Sequence, residues 1–129
     1  MTNALPPFGP GATHTHHFQF SQANVADFAR ITGDHNPLHL DADYAATTPF
    51  KRPIMHGALS SSVFTKVLGM EFPGPGAVYM SQTFEFLRPM FVETDYVATF
   101  TVQSVDVAKH TAEMLGEVRD AQTGKLTLR

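Results

Sequence analysis

The chain has 129 residues, no Cys and no Trp, with 9 Lys+Arg against 12 Asp+Glu and a net charge of −3 when its 7 His are neutral. That length supports one domain with a modest core. The missing Cys excludes disulfides, thiol nucleophiles and Cys-based zinc sites, and the acidic balance argues against a nucleic-acid surface. With 43% hydrophobic and 16% charged residues, the composition is that of a globular protein. No segment has the apolar length of a membrane span. Met1–Pro7 lacks the basic start and apolar run of a signal peptide, which makes the cytoplasm the expected location.

Residues 1–12, rich in Pro and Gly, read as an irregular lead-in to a single domain over 1–129. Thr13–Phe20 alternates loosely and suits a strand. Ser21 is an N-cap for a helix over 22–32, because Val25, Phe28, Ala29 and Thr32 share one face and Gly33 stands where a C-terminal glycine belongs. Asp34–His39 reads as a loop, since Pro37 disfavours helix at Asn36. Asp41 or Asp43 can cap a short turn through Ala46, and Pro49 and Pro53 break the chain again. A long buried helix is expected over about 57–68, stopped by Gly69, with Ala58, Leu59, Val63, Phe64, Val67 and Leu68 around its circumference. Pro73–Gly76 is a turn. Ala77–Leu87, Asp95–Val107 and His110–Arg119 alternate as strands, and Leu126–Arg129 begins another. The order is strand, helices, then an antiparallel meander, an α+β layout.

Two segments carry chemistry. In Gly33-Asp34-His35-Asn36-Pro37-Leu38-His39, a carboxylate and an imidazole flank a Pro-stiffened turn that can bring both to one water. One group would take a proton while the other handles a proton on substrate. The same residues also suit a plain polar turn with Asp34 capping the backbone. In Arg52-Pro53-Ile54-Met55-His56-Gly57, a glycine at a helix start lets a ligand carbonyl approach unsatisfied N–H groups, as an oxyanion site requires. An ordinary glycine near a helix start looks the same. His14 and His16 share a strand face and His17 does not, and two ligands do not close a zinc site, so no metal is expected.

Residues 31–45, Pro49–Gly57 and Tyr79–Pro89 resemble, in order, three segments of the MaoC-like, (R)-specific enoyl-CoA hydratases, a similarity that spans about 18–120. The resemblance implies a hot-dog fold, an antiparallel sheet wrapped around one long central helix. It implies Asp34 and His39 as the catalytic pair, Gly57 as the oxyanion donor, and Asn36, His56 and Thr65 as supporting residues. The implied reaction is reversible syn addition of water to a trans-2-enoyl-CoA, giving an (R)-3-hydroxyacyl-CoA. The enzyme would be a hydro-lyase of fatty acid metabolism with no cofactor beyond the CoA of its substrate.

The reverse reaction on a CoA or acyl-carrier-protein thioester, and a hot-dog thioesterase, are the alternative readings. Met55, Leu68 and Met70 could line an acyl pocket or simply pack. Lys51, Arg52 and Arg88 could meet CoA phosphates or remain solvated charge. A homodimer is expected, because a curled sheet leaves an edge to be covered. The family's last strand continues beyond the point where Gly124–Arg129 ends, which implies a clipped strand or an incomplete C-terminus.

Overall fold

A computed structural model describes residues 8–129. Strand β1 (Thr13–Phe18) leads into helix α1 (Gln22–Thr32), two short helices α2 (Pro37–Leu40) and α3 (Ala42–Ala46), and the helical pair α4 (Gly57–Ser61) and α5 (Val63–Met70). Strands β2 (Tyr96–Asp106), β3 (Thr111–Asp120) and β4 (Leu126–Leu128) follow. The strands form one antiparallel sheet in the order β1-β2-β3-β4. Of the expected lead-in, residues 1–7 lie outside the described residues.

Period-two patterning sets the buried face of the sheet. Tyr96, Ala98, Phe100 and Val102 alternate along β2, all at most 1% exposed, and Val118 and Leu128 join them from β3 and β4. Val63, Phe64 and Val67 of α5 lie against this face, and Val25 and Ala29 of α1 are buried beside it. Gly116 pairs with Phe100 in the sheet, and the Phe64 ring sits directly over it. A Cβ at Gly116 would lie 2.4 Å from Phe64 Cε2, so only glycine admits the helix at this depth. A four-stranded antiparallel sheet curled against the helix of residues 57–70 is the hot-dog arrangement that the motifs imply.

Three expectations need correction. The central helix is not continuous. Ser60, Ser61 and Ser62 turn their hydroxyls back onto the carbonyls of His56, Ala58 and Leu59, and the helix breaks at Ser62. Such hydroxyls compete with the backbone for its own acceptors. The second segment runs through Gly69 to Met70, and the helix is buried on one face only, with Ala58, Thr65 and Lys66 exposed.

Ala77–Leu87 is not a strand along its length. It makes a single bridge, Phe86 to Leu128, with Glu85 and Arg129 exchanging backbone bonds and Leu87 donating to Thr127. β4 offers only three residues, so it can pair the end of this segment and not its start. The 34–39 stretch is also partly helical. Asn36 caps α2 through its side chain, and Pro37 takes the first turn, where its missing N–H costs nothing.

Candidate active site

The turn after α1 is built from short-range bonds. Ser21 and Asn24 form a reciprocal capping box at the start of the helix. At its end Gly33 adopts φ 82° and returns its N–H to Ala29. Within the turn, Asp34 N–H donates to Thr32 Oγ1 at 3.2 Å, and its carboxylate accepts from Asn36 N–H at 3.2 Å. The Asn36 carboxamide in turn accepts from Leu38 N–H at 3.0 Å. This places the Asn36 side chain in the loop scaffold, and α2 then carries His39 back toward the core.

Long-range contacts lock the two ends of the turn. His39 Nδ1 lies 2.7 Å from the carbonyl of Ile54. A carbonyl only accepts, so Nδ1 carries the proton and neutral His39 keeps a bare lone pair on Nε2. His56, 2% exposed, sets its Nε2 3.0 Å from the Asp34 carbonyl and 4.0 Å from the Asp34 carboxylate. The His39 and His56 rings lie 3.9 Å apart between centroids, tilted by 31°, and Phe28 of α1 packs against His56 at 4.8 Å. Asp34, His39 and His56 each bring one ligand-type atom within 4.8 Å of the others. The Asp34 side chain remains half exposed, so the cluster is open to solvent on the carboxylate side.

Gly57 follows His56 directly and opens α4. The helix's own bonding starts with Ser60 N–H to His56 oxygen at 3.0 Å, so the N–H groups of its first turn precede that ladder. A Cβ at Gly57 would meet the Phe86 ring at 3.0 Å.

The other candidate residues lie elsewhere. Thr65 is exposed and lines a cavity of about 430 Å³ with Ala58, Ser61, Ser62, Tyr79, Gln82 and Phe84; neither Asp34 nor His39 borders it. Burial pushes the Tyr79 phenol up. Met55 is 3% exposed in the core, whereas Met70 is 66% exposed at the far end of the helix. Fifteen residues of mostly helical chain put these two roughly 20 Å apart. Leu68 is half-buried. Lys51 and Arg52 are exposed; Lys51 takes φ 67°, and the Arg52 guanidinium stacks over Phe91 at 3.7 Å. Arg88 donates to the Leu126 carbonyl at 2.7 Å and is committed to the sheet edge.

Asp34, His39 and His56 are the one group among the described residues whose donor atoms gather as metal ligands would. Their arrangement fits an ion poorly. His39 Nδ1 and His56 Nε2 already face backbone carbonyls at 2.7 and 3.0 Å, so neither of these nitrogens is open to an ion. His14 and His16 meet a carboxylate instead: Glu71 Oε1 lies 2.8 Å from His14 Nε2 and 3.3 Å from His16 Nδ1, and Lys66 bonds its second oxygen.

Sequence reasoning missed Ile54, Phe28 and Glu71. Ile54 acts through its backbone, which no side-chain pattern reports. Glu71 left a trace only as a lone acid after a helix.

Known proteins share this scaffold. The (R)-specific enoyl-CoA hydratase of Aeromonas caviae is 45% identical over 87 residues, 67% of this chain and 65% of that protein. The 3-hydroxybutyryl-CoA dehydratase of Methylorubrum extorquens is 40% identical over 104 residues, 81% of this chain and 60% of that protein. The chain thus spans less than two thirds of either curated relative. The solved structure of an (R)-hydratase from A. caviae involved in PHA biosynthesis superposes with a TM-score of 0.88 at 36% identity, covering 98% of this chain and 93% of that one. An R-hydratase from Pseudomonas aeruginosa superposes with a TM-score of 0.85 at 34% identity, covering 92% and 76%. The MaoC like domain family matches residues 7–125, nearly the whole chain, and this protein belongs to that family.

Proposed function

We propose that this protein is an (R)-specific enoyl-CoA hydratase, with Asp34 and His39 as its catalytic pair and Gly57 N–H as the oxyanion donor. The observation that carries the reading is the fixed tautomer of His39. Its Nδ1–H is held by the Ile54 carbonyl, which leaves the Nε2 lone pair free in a cluster where His39, Asp34 and His56 each bring one ligand-type atom within 4.8 Å of the others.

In the reaction, a water lies between the two groups. His39 Nε2 takes one of its protons as the oxygen bonds to Cβ of the enoyl thioester. The π electrons shift toward the thioester oxygen, where Gly57 N–H meets the developing charge. Asp34 accepts a hydrogen bond from the bound water and stabilises the imidazolium. His39 then returns the proton to Cα on the face where the hydroxyl entered, which makes the addition syn and regenerates the base. Lys51 and Arg52, exposed on the loop before Gly57, suit the CoA phosphates.

The same steps run backward dehydrate a 3-hydroxyacyl thioester, on CoA or on a carrier protein. A thioesterase reading gains nothing from this geometry, since the pair addresses Cβ chemistry. Mixing the protein with crotonyl-CoA and a longer enoyl-CoA and following the conjugated enoyl absorbance tests the proposal. Loss of absorbance with no free thiol supports it; free CoA thiol without hydration overturns it in favour of a thioesterase.

The working unit is a homodimer in this reading. Val78 and Met80 are 82% and 79% exposed on the half of 77–87 that has no strand partner, and Phe86 and Leu87 are exposed beside them. A second copy covering this edge removes both the open backbone and the apolar surface. A monomeric mass by light scattering at micromolar concentration would refute it. Among the described residues no helix is long and apolar enough to cross a membrane.

A further inference from the structure

His56 is the member of the cluster to which the reaction above gives no step. Its Nε2 faces the Asp34 carbonyl at 3.0 Å, and a carbonyl cannot donate, so the proton sits on Nε2. Nδ1 is then a bare acceptor, and it is buried with no partner among the described residues. A buried acceptor without a donor works against stability. A phenylalanine would fill this place, against Phe28 and His39, without that penalty. What phenylalanine lacks is the donor.

We propose that His56 is a positioning residue, holding the Asp34 main chain and the face of the His39 ring so that carboxylate and Nε2 address one water. The inference rests on the hydratase reading and deepens it. The geometry is a clamp from three consecutive residues. The Ile54 carbonyl grips the edge of His39, the His56 ring covers its face, and His56 Nε2–H pins Asp34. Met55 between them is anchored by its N–H to the Met90 carbonyl at 2.8 Å, which ties the clamp to the core. The far end of the turn is tied by Ile54 N–H to the Leu38 carbonyl at 3.3 Å, whereas the other bonds at Asp34 span two residues, so among the described residues His56 is its one long-range polar anchor.

Two variants separate the ring from the donor. His56→Phe keeps the ring and loses the donor; His56→Gln loses the ring and keeps an N–H at the position of Nε2. With crotonyl-CoA, His56→Phe should melt no lower than the wild type. Its kcat should fall by ~10- to ~100-fold, the loss expected from ångström-scale misplacement, with KM within about threefold. His56→Gln should recover a large part of that kcat. A His56→Phe kcat within about twofold of wild type, a loss confined to KM, or a His56→Gln variant no better than His56→Phe would each overturn the proposal.

A second readout needs no turnover. Long-range proton–nitrogen NMR of the wild type should show His56 as the Nε2–H tautomer and His39 as the Nδ1–H tautomer, and His56→Phe should broaden or lose the His39 Nδ1–H signal. The opposite tautomer at His56 overturns the inference even where neither variant folds. A wild type that hydrates no enoyl-CoA defeats the hydratase reading, while the NMR comparison still decides the role of His56.

Discussion

Two places in this molecule bring a pair of imidazoles to one carboxylate, and they spend their hydrogen bonds in opposite ways. On β1, His14 and His16 both turn to Glu71, and Lys66 takes the other oxygen. Every donor is directed at the acid. Bonds from Lys66 and His14 hold the Glu71 carboxyl at about 2, against the desolvation that would raise it. At the other site, His39 and His56 give their N–H groups to backbone carbonyls, and Asp34 accepts one bond from the Asn36 amide. Its carboxylate is left half exposed. A carboxylate whose oxygens are taken up by an ammonium and two imidazoles is a fastening. One whose neighbouring imidazoles are satisfied by carbonyls keeps its acceptor capacity for a ligand.

The largest test of this contrast removes the uncommitted pair. Asp34→Asn and His39→Ala should each lower hydration by ~10²- to ~10⁴-fold while circular dichroism and melting stay close to wild type. Near-full activity in either variant would break the assignment. Glu71→Gln should do the reverse: kcat unchanged, and stability at neutral pH reduced by about 1–2 kcal/mol in urea denaturation, a figure discounted for the solvent around a carboxylate 22% exposed.

Acid sharpens the same comparison. A carboxyl group lowered on folding contributes fully above its unfolded value near 4.5 and loses that contribution as pH falls toward about 2. The stability gap between wild type and Glu71→Gln should therefore close across that window, and a gap that persists near pH 2 would show that charge is not its source. The smallest effect belongs to Lys66→Met. Its ammonium is more than half exposed, so the cost should stay below about 1 kcal/mol despite the close contact with Glu71.

Local patterns made much of this legible in the sequence. The first helix, with Ser21 and Gly33 at its ends, is written in its caps and periodicity. The β2 and β3 strands are written in alternation and end within a residue of the expected boundaries at Tyr96, Asp106 and Asp120. Asp34, Asn36 and His39 stood out because a Pro-stiffened turn puts polar groups at short spacing, and the structure bears out their proximity through bonds of two or three residues. What escaped was decided elsewhere in the chain. Nothing within Ala77–Leu87 reports that β4 supplies a partner for its last residues alone. The break at Ser62 goes with hydroxyls of three consecutive serines turned onto backbone carbonyls, and a serine run in the sequence does not say which way its hydroxyls turn. The Ile54 carbonyl is common to every residue type, so its grip on His39 is visible only once the loop is folded over it.

The bare Cα of Gly116 has a consequence for the reacting end of the molecule. The ring of Phe64 rests where a methyl group would stand, so the height of the helix above the sheet is gauged by an atom that is missing. His56 and Gly57 ride at the start of that same run of helix, one holding Asp34 and the other facing Phe86. A spacer on β3 thus sets the height of the helical pair whose start presents Gly57 to Phe86. The packing of sheet against helix and the placing of His56 over Asp34 are, to that extent, a single tolerance.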